Sequence, residues 1–580
     1  MSQESVRSRF APGRRALLGG AVAVAATALV PGVAVGASRR GGAVTDATYV
    51  NDARTSGGDP YVLFDEPSGY YYAYCTGGSD EGYFFGVHRS PDLATWERLP
   101  GGALRADDPK RWGKDWFWAP EVYRNPDTGM YFLFYAARMG AELGERYFGY
   151  ADFEEPCSIG VAVSRTPEGP FRNISDRPID YHPYKPDYHD VNLIMGDDQL
   201  TPPATEEEGR TAPLGSYIPM IDPNLLFDDG RIYLYFSSNA YRNWVWDTRL
   251  GKYIEESNIA AVELTTRWWD DPEGATMPGV HPRYLDANAP RSGASDGRRR
   301  DGFVPILTYG ADPQPWEDAH VNDHETSGGS KKDRRWEEGS TAWRHEYVRD
   351  GRRHTAYYLT YSANNFENQY YGVGYAVAEH PLGPWRKHPG NPVLAQNPDI
   401  GMYSTGHGSL TASPDGSELY YVHHGRTSPT SSDRVVYTER LRVEERVTSG
   451  YPLLTIEQST SDQPVPAGTA PFAFAAEPVT VRVGGTVDVE CAVRSAAGAA
   501  FDLTAPENRV RGELRPDGGG PASVNVEGGV VRVRGLRRGT ARLTLVYQRR
   551  RADGSYRDVH QARPGGRPQA VGVTVPVVVR

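Results

Sequence analysis

The alternation of apolar and polar positions is clearest between Ile218 and Ser238, IPMIDPNLLFDDGRIYLYFSS. It reads as an apolar strand, an Asp-Asp-Gly turn and a second strand rich in aromatics. Alternation around a D-G turn predicts a β-hairpin. The same pattern recurs four more times. Asp59-Pro60-Tyr61-Val62 runs through Pro67-Ser68-Gly69 into YYYAYC, and Trp118-Ala119-Pro120-Glu121-Val122 runs through Asp127-Thr128-Gly129 into MYFLFYAAR. Glu338-Gly339-Ser340 runs through Asp350-Gly351 into TAYYLTYSANN, and Gly406-His407-Gly408-Ser409-Leu410 through Pro414-Asp415-Gly416 into ELYYVHHG. An internal repeat of this kind predicts a propeller or solenoid, and a unit built of strands favours a five-bladed β-propeller.

The chain is thus expected to be all-β, with the propeller over residues 44–460. The long intervals between repeat heads, about 140–216 and 240–336, are polar and rich in Pro and Gly, and they predict loops forming rims around a central site. A second refrain recurs between heads: Ser90 to Trp96, Ser164 to Phe171, and His380 to Trp385. Each precedes a short strand expected to close the outer edge of a blade, with its last aromatic packed between blades. From residue 465 to 580 the aromatics thin out and Val-rich alternating stretches appear, VTVRVGGTVDVECAVR and ASVNVEGGVVRVRGLRRGTARLTLVY. Short strands at this spacing predict a small β-sandwich. The second stretch resembles the bacterial immunoglobulin-like repeat, which implies a spacer or wall-binding module.

Residues 1–37 read as an export signal. Arg14-Arg15 precedes the apolar run LLGGAVAVAATALVPGVAV, and Val35-Gly36-Ala37 is a small-residue cleavage pattern. The twin arginine points to Tat export of a folded protein. A membrane anchor is the other reading, but the run is Ala- and Gly-rich, broken by Pro31 and short for a span. The expectation is a secreted, extracellular, monomeric protein with no membrane span once the signal is removed.

Composition narrows the partners. The 580 residues carry a net charge of −11, so no net basic field exists to collect nucleic acid. The 36 Tyr suit carbohydrate surfaces, where flat faces and hydroxyl tips are both useful. Cys75, Cys157 and Cys491 are too few for a disulfide framework and read as small hydrophobes. The Arg-rich pieces, 532–542 and 549–551, read as solvated strand faces.

In a propeller the innermost strand of every blade lines the central channel, so strand heads converge at one mouth. Asp59, Asp222 and Glu338, taken as equivalent positions of their repeats, are therefore expected in one cavity. Three acids in an aromatic-walled pocket suit glycoside hydrolysis. One carboxyl stays protonated to donate to the leaving oxygen, another activates water, and the third tunes by like-charge repulsion. Taken alone, an Asp before Pro also reads as a turn cap, and Glu338 beside Glu337 as a solvated acid. Their joint placement carries the reading.

The ordered motifs Gly-Asp-Pro-Tyr, Trp-Ala-Pro-Glu-Val, Ile-Asp-Pro-Asn, Glu-Gly-Ser and Gly-His-Gly-Ser, over about residues 45–445, resemble glycoside hydrolase family 43. The resemblance implies a five-bladed propeller that hydrolyses arabinose- and xylose-containing polysaccharides with inversion. It implies that Asp59 is the general base, that Glu338 is the general acid, and that Asp222 orients and tunes that acid. Glu-Gly-Ser stands where the family commonly has Glu-Gly-Pro, and the carboxylate is kept. Trp118 would line the sugar pocket, and Arg434 would contact both sugar and acid. His407 would stand at the channel centre, where relatives hold a calcium ion or water. Calcium prefers oxygen ligands, so an ion there would be structural and held by His407 through water. No cofactor is required. Core packing is the other reading of Trp118 and His407, and a surface salt bridge that of Arg434. Glu121 reads as structural, bonded within its blade.

An α-L-arabinofuranosidase or β-xylosidase is the favoured activity, because the long insertions suit a walled pocket and exo action. An endo-arabinanase, another glycan hydrolase of this fold and a non-catalytic carbohydrate-binding propeller are the alternatives. The invertase-like retaining class has an Arg-Asp-Pro motif that this chain lacks, and its only Glu-Cys pair, Glu490-Cys491, falls in the C-terminal region.

Overall fold

Five antiparallel four-stranded blades follow one another along the chain, three as separate sheets and two joined in one larger sheet. The computed structural model describes residues 48–580 other than 51–54, 94–95, 149–152, 182–192, 195–200, 213–217, 239–241, 286–301, 399–400, 415, 417, 448–449, 459–461, 465–472, 495–499, 505–507, 516–519, 528, 551–555 and 562–568. The export signal expected over residues 1–37 lies outside the described residues. Blade I comprises Gly58–Asp65, Tyr70–Thr76, Gly86–Ser90 and Glu97–Arg98. Blade II comprises Gly113–Arg124, Tyr131–Met139, Cys157–Ser164 and Arg172–Asn173. Blade III comprises Met220–Asp228, Arg231–Ser238, Lys252–Leu264 and Val304–Leu307. Blade IV comprises Arg334–Arg349, Arg352–Ala363, Gly372–Ala378 and Arg386–Lys387. Blade V comprises Tyr403–Ala412, Leu419–Arg426, Val435–Val443 and Leu454–Glu457.

The first strand of each blade packs against the first strand of the next, and that of blade V against that of blade I, so the ring closes. Closure is reinforced where Ser56 pairs with Val435 at the edge of blade V. There Gly57 N–H donates to the Arg434 carbonyl at 3.0 Å and Val436 N–H to the Thr55 carbonyl at 2.8 Å. All five repeat heads lie on the innermost strands, as the repeat predicted.

The aromatic second strands do two jobs. Their rings fill the clefts between blades, with Tyr74, Tyr135, Tyr235 and Tyr358 all fully buried. Their hydroxyls then reach carbonyls of neighbouring segments: Tyr74 to Pro167 at 2.6 Å, Tyr235 to Pro381 at 2.6 Å, Tyr358 to Pro452 at 2.7 Å. A buried phenol needs such an acceptor, which is why this cleft is filled by Tyr and not by Phe alone. Two of those carbonyls belong to the refrains. The refrains lead directly into the short outer strands Glu97–Arg98, Arg172–Asn173 and Arg386–Lys387, and Phe171 and Trp385 meet Tyr74 and Tyr235 edge-on.

The two long intervals are not simply rim loops. They contain the third and fourth strands of blades II and III, Cys157–Ser164 with Arg172–Asn173 and Lys252–Leu264 with Val304–Leu307. Those strands carry small and apolar residues without the aromatic signature, so they stand out poorly against polar surroundings. The extended start of Lys252–Leu264 also pairs in parallel with Arg334–Trp336, joining blades III and IV.

Beyond Glu457 and the short pair Thr48–Val50 with Asp462–Pro464, the C-terminal strands form separate sheets. Val479–Val481, Gly572–Val579, Gly539–Arg550 and Asn508–Arg515 make one, and Thr486–Val489, Val530–Gly535 and Ala522–Glu527 another. Val510, Val531, Val533, Leu543, Leu545 and Val577 share one apolar core, and the intervening Arg532, Arg534 and Arg542 are exposed as alternation requires. Cys75 and Cys157 are buried free thiols, while Cys491 is half-buried. Among the described residues no helix is long and apolar enough to cross a membrane.

One buried ion cluster stiffens blade IV. The Lys387 ammonium donates to Glu317 at 2.9 and 3.0 Å and to Glu337, and Tyr361 hydroxyl donates to Glu317 at 2.7 Å. Removing the cation strands two carboxylates in a dry interior, which costs about 3–5 kcal/mol. Lys387→Met is therefore expected to lower the unfolding free energy by about that amount in urea titrations. A stability equal to the parent protein would show that the cluster contributes nothing net.

Candidate active site

The site begins with a backbone irregularity that every blade shares. The innermost strand is bulged near its start: register slips between Gly58 and Tyr61, Trp118 and Glu121, Ile221 and Asn224, Glu338 and Thr341, and Gly406 and Gly408. A residue in the left-handed region sits in each bulge: Asp59 (φ 47°), Ala119 (47°), Asp222 (53°), Gly339 (58°) and His407 (44°). For a non-glycine residue that conformation costs about 1–2 kcal/mol, and such strain collects at functional sites.

In four of the five blades the N–H of this residue donates to a side chain on the second strand of the preceding blade. Ala119 donates to Thr76 Oγ1 at 2.9 Å, Gly339 to Ser237 Oγ at 3.3 Å, His407 to Ser362 Oγ at 2.7 Å, and Asp59 to His424 Nδ1 at 3.1 Å. By this register Asp59, Asp222 and His407 are equivalent, but Glu338 is not. It occupies the preceding position, shared with Gly58, Trp118, Ile221 and Gly406. The expectation that all three acids hold equivalent positions is thus corrected: in blade IV a glycine takes the left-handed place and the acid stands one residue before it.

Asp59 is buried and surrounded by nitrogen. Its Oδ1 accepts from Arg434 Nη1 at 2.7 Å and lies 3.2 Å from His407 Nδ1. Burial by itself would raise the proton affinity of this carboxyl, but the Arg434 guanidinium, with His407 beside it, outweighs burial and holds it well below the usual carboxylate range. His424 is fully buried, which pushes its own pKa down to about 3. It is therefore neutral, and its Nδ1 acts as the acceptor of the Asp59 N–H. Asp59 Oδ2 has no hydrogen-bond partner among the described residues.

Glu338 is treated in the opposite way. Burial, then the neighbouring Asp222, push its pKa up to about 8, while a hydrogen bond from Tyr371 hydroxyl to Oε1 at 2.8 Å opposes them. Asp222 is also raised, chiefly by burial. Its Oδ2 accepts from Ser237 Oγ at 2.9 Å and from Gly339 N–H at 3.1 Å, so it grips the peptide that follows Glu338. A Cβ on Gly339 would come within 2.7 Å of the His407 ring, which packs directly over this turn.

The remaining expected residues are brought to the same end of the ring. Trp118 packs beside Ile221, next to Asp222, and its ring stacks on Trp116 at 5.1 Å and 11°. The Arg138 guanidinium, held by Asp115 through two 2.6 Å bonds, lies 3.7 Å from the Trp116 ring centre. Trp118 is thus both packed and at the mouth. Glu121 is structural as expected, but it bonds between blades and not only within one: Tyr123 hydroxyl and Asn224 Nδ2 of blade III both donate to it. His407 offers one ring nitrogen beside Asp59, and among the described residues no group of three or more His, Cys, Asp or Glu could hold a metal ion.

The sequence reading missed His424, Ser237, Tyr371 and Phe366, whose ring lies 4.6 Å from the Arg434 guanidinium carbon. Aligning second-strand ends across the repeats, Thr76, Ala136, Ser237, Ser362 and His424, would have marked two of them. Tyr371 has no counterpart in the repeat.

Holding Glu338 protonated should show in stability. The native state keeps a proton that the unfolded chain releases above the ordinary glutamate value, so stability falls as pH rises from there to about 8. Glu338→Gln removes that penalty. Its stability advantage over the parent, from paired urea titrations, is expected to widen across this pH window and then level off; a gap constant with pH would contradict the raised pKa.

The profile of glycosyl hydrolases family 43 matches residues 53–199 and 319–448, a span that takes in Asp59, Trp118, Glu338, His407 and Arg434. Beta-D-galactofuranosidase xynD of Aspergillus niger is 24% identical over 383 residues, 65% of this chain and 76% of the relative. Among solved structures, a thermostable family-43 glycoside hydrolase is 27% identical with a TM-score of 0.46, covering 73% of this chain and 100% of its own. An endo-1,4-beta-xylanase from Bacteroides thetaiotaomicron VPI-5482 is 26% identical with a TM-score of 0.43, covering 71% and 97%. The chain belongs to glycoside hydrolase family 43 and is a glycosidase.

Proposed function

We propose that this glycosidase hydrolyses arabinose- or xylose-containing polysaccharide with inversion, as an α-L-arabinofuranosidase or β-xylosidase. One observation carries the reading: Asp59, bonded to the Arg434 guanidinium and favoured in its ionised form, lies within electrostatic reach of Glu338, whose protonated form is favoured by burial and by Asp222. Pairs of carboxyls whose environments push them apart are how a site runs acid and base chemistry together.

In the proposed reaction a water molecule sits at Asp59 Oδ2, the oxygen that Arg434 leaves free. Asp59 takes one proton from that water as its oxygen bonds to the anomeric carbon. The glycosidic C–O bond breaks, its electron pair goes to the leaving oxygen, and Glu338 supplies the proton to that oxygen. Asp59 ends protonated and Glu338 ionised, and exchange with solvent resets both. Asp222 acts through the Gly339 peptide, holding Glu338 in place and keeping its proton affinity high. Trp118 provides an apolar wall for the sugar face.

The substrate class draws its support from similarity. The relatives named above act on galactofuranosides and xylan by their names. The Aspergillus relative gives a specific reason to include galactofuranosides beside arabinofuranosides and xylosides. The Arg14-Arg15 leader supports Tat export to the extracellular space, and the Val-rich sandwich supports an immunoglobulin-like spacer over residues 465–580.

The test is hydrolysis of nitrophenyl arabinofuranoside, xyloside and galactofuranoside, with linear arabinan and xylan, by the parent and by Asp59→Asn and Glu338→Gln. Each substitution is expected to reduce turnover roughly 10²–10⁴-fold. Parent-like rates in either variant would remove that residue from the chemistry. The first-formed sugar, read by proton NMR, should have the opposite anomeric configuration to the substrate; retention would rule out the water-attack scheme. The rate should hold from acid pH to neutrality and fall above about 8, where Glu338 loses its proton.

A further inference from the structure

We propose that Tyr371 is a positioning residue for the acid: its hydroxyl donates to Glu338 Oε1, leaving the transferable proton on Oε2 and aiming it at the leaving oxygen. The inference rests on the glycosidase reading above and adds a residue that neither the repeat nor the family motifs point to.

The geometry leaves the phenol little choice. Tyr371 is buried, and its hydroxyl lies 2.8 Å from Glu338 Oε1 with no other partner among the described residues. The ring is locked on both sides. It stacks on the neutral His424 imidazole at 5.6 Å and 14°, and a Cβ on Gly406 would come within 2.3 Å of Tyr371 Cε1. Asn364, itself in the left-handed region, ties the segment before it by donating to the Trp316 and Tyr370 carbonyls at 2.9 and 3.1 Å. Burial and the nearby Glu338 keep the phenol far from ionising, so it remains a donor.

A carboxyl whose Oε1 accepts a hydrogen bond carries its acidic proton on Oε2, which has no partner among the described residues. Tyr371 thereby converts a carboxyl with two equivalent oxygens into one with a single reactive face. It also connects the two ends of the chemistry. Asp59 N–H holds His424, His424 stacks on Tyr371, and Tyr371 holds Glu338, so the base and the acid are oriented through one packed column. Other charges face the acid from the rest of the ring. Asp59 of blade I and Asp222 of blade III disfavour its ionisation, Arg434 beside blade V favours it, and Glu155 before the third strand of blade II lies within electrostatic reach. Among the described residues the Tyr371 hydroxyl is the group that hydrogen-bonds to it.

Tyr371→Phe keeps the ring, the stack and the fold, and deletes only the hydroxyl. Loss of a donor that favours the ionised form raises the proton affinity of Glu338. The alkaline limb of kcat/KM is expected to move up by roughly one pH unit. On sugar aglycones kcat should fall roughly 10-fold at little change in KM, the scale of one lost orienting hydrogen bond. On a dinitrophenyl glycoside, whose leaving group needs little protonation, the loss should nearly vanish. An unmoved alkaline limb, a limb that moves down, or a loss equal on both aglycones would overturn the assignment. A downward shift would mean that Glu338 donates to the phenol. Carbon-13 titration of the Glu338 carboxyl in parent and variant reads the same hydrogen bond without turnover. A parent silent on every glycoside would therefore sink the substrate reading alone, while an unmoved carboxyl titration would sink the role of Tyr371.

Discussion

The structure depends on what happens to one backbone N–H in each blade. A bulge at the start of the innermost strand puts one residue in the left-handed region and takes its N–H out of the blade's own ladder. A buried donor left without an acceptor costs about 1–3 kcal/mol, and in four of the five blades the neighbouring blade supplies one. Thr76, Ser237, Ser362 and His424 do so, and His424 does it across the seam where the last blade meets the first. Ring closure and the presentation of Asp59 are therefore the same interaction. A second layer of such contacts lies just beneath: Leu225 N–H on Tyr123 hydroxyl at 2.7 Å, Ala342 N–H on Asn224 at 3.0 Å, and Val62 N–H on Ser409 at 2.9 Å.

On that frame the electrostatics divide the pocket. Arg434 reaches Asp59 because residue 58 is glycine; a Cβ there would overlap the guanidinium carbon at 1.9 Å. Among the described residues no comparable cation touches Glu338, which meets a phenol and the field of Asp222. Two buried clusters away from the mouth pair their charges closely. The guanidinium of Arg335 meets Asp247, Glu256 and Asp318 at 2.6, 2.7 and 2.8 Å, and Lys387 is held by two glutamates. At the mouth the pairing is unequal: the guanidinium favours the ionised form of Asp59, while burial and Asp222 favour the protonated form of Glu338.

Much of this was legible from the chain. Turn residues and alternating apolar positions act over a few residues, so the five inner hairpins and their heads could be found without tertiary information. The outer strands of blades II and III could not. NIAAVEL at 258–264 is a short apolar run inside a long polar interval, and it is a blade strand only because Arg231–Ser238 lies beside it. The offset of Glu338 was hidden for a related reason. A one-residue shift is invisible in motif order, and it is the pairing of Glu338 with Ser362, matched to Ile221 with Ser237, that reveals it.

The sequence by itself determined the repeat, the all-β architecture, the family motifs and the set of acids that converge on one mouth, because each of these is written in short-range pattern and its recurrence. Tertiary structure alone decided which carboxyl is ionised and which is protonated. That difference is set by partners distant in the chain: Arg434 lies 375 residues from Asp59, and Tyr371 lies 33 residues past Glu338 on a turn that no repeat describes. Proton affinity is a property of the surroundings, and the surroundings exist only once the ring has closed.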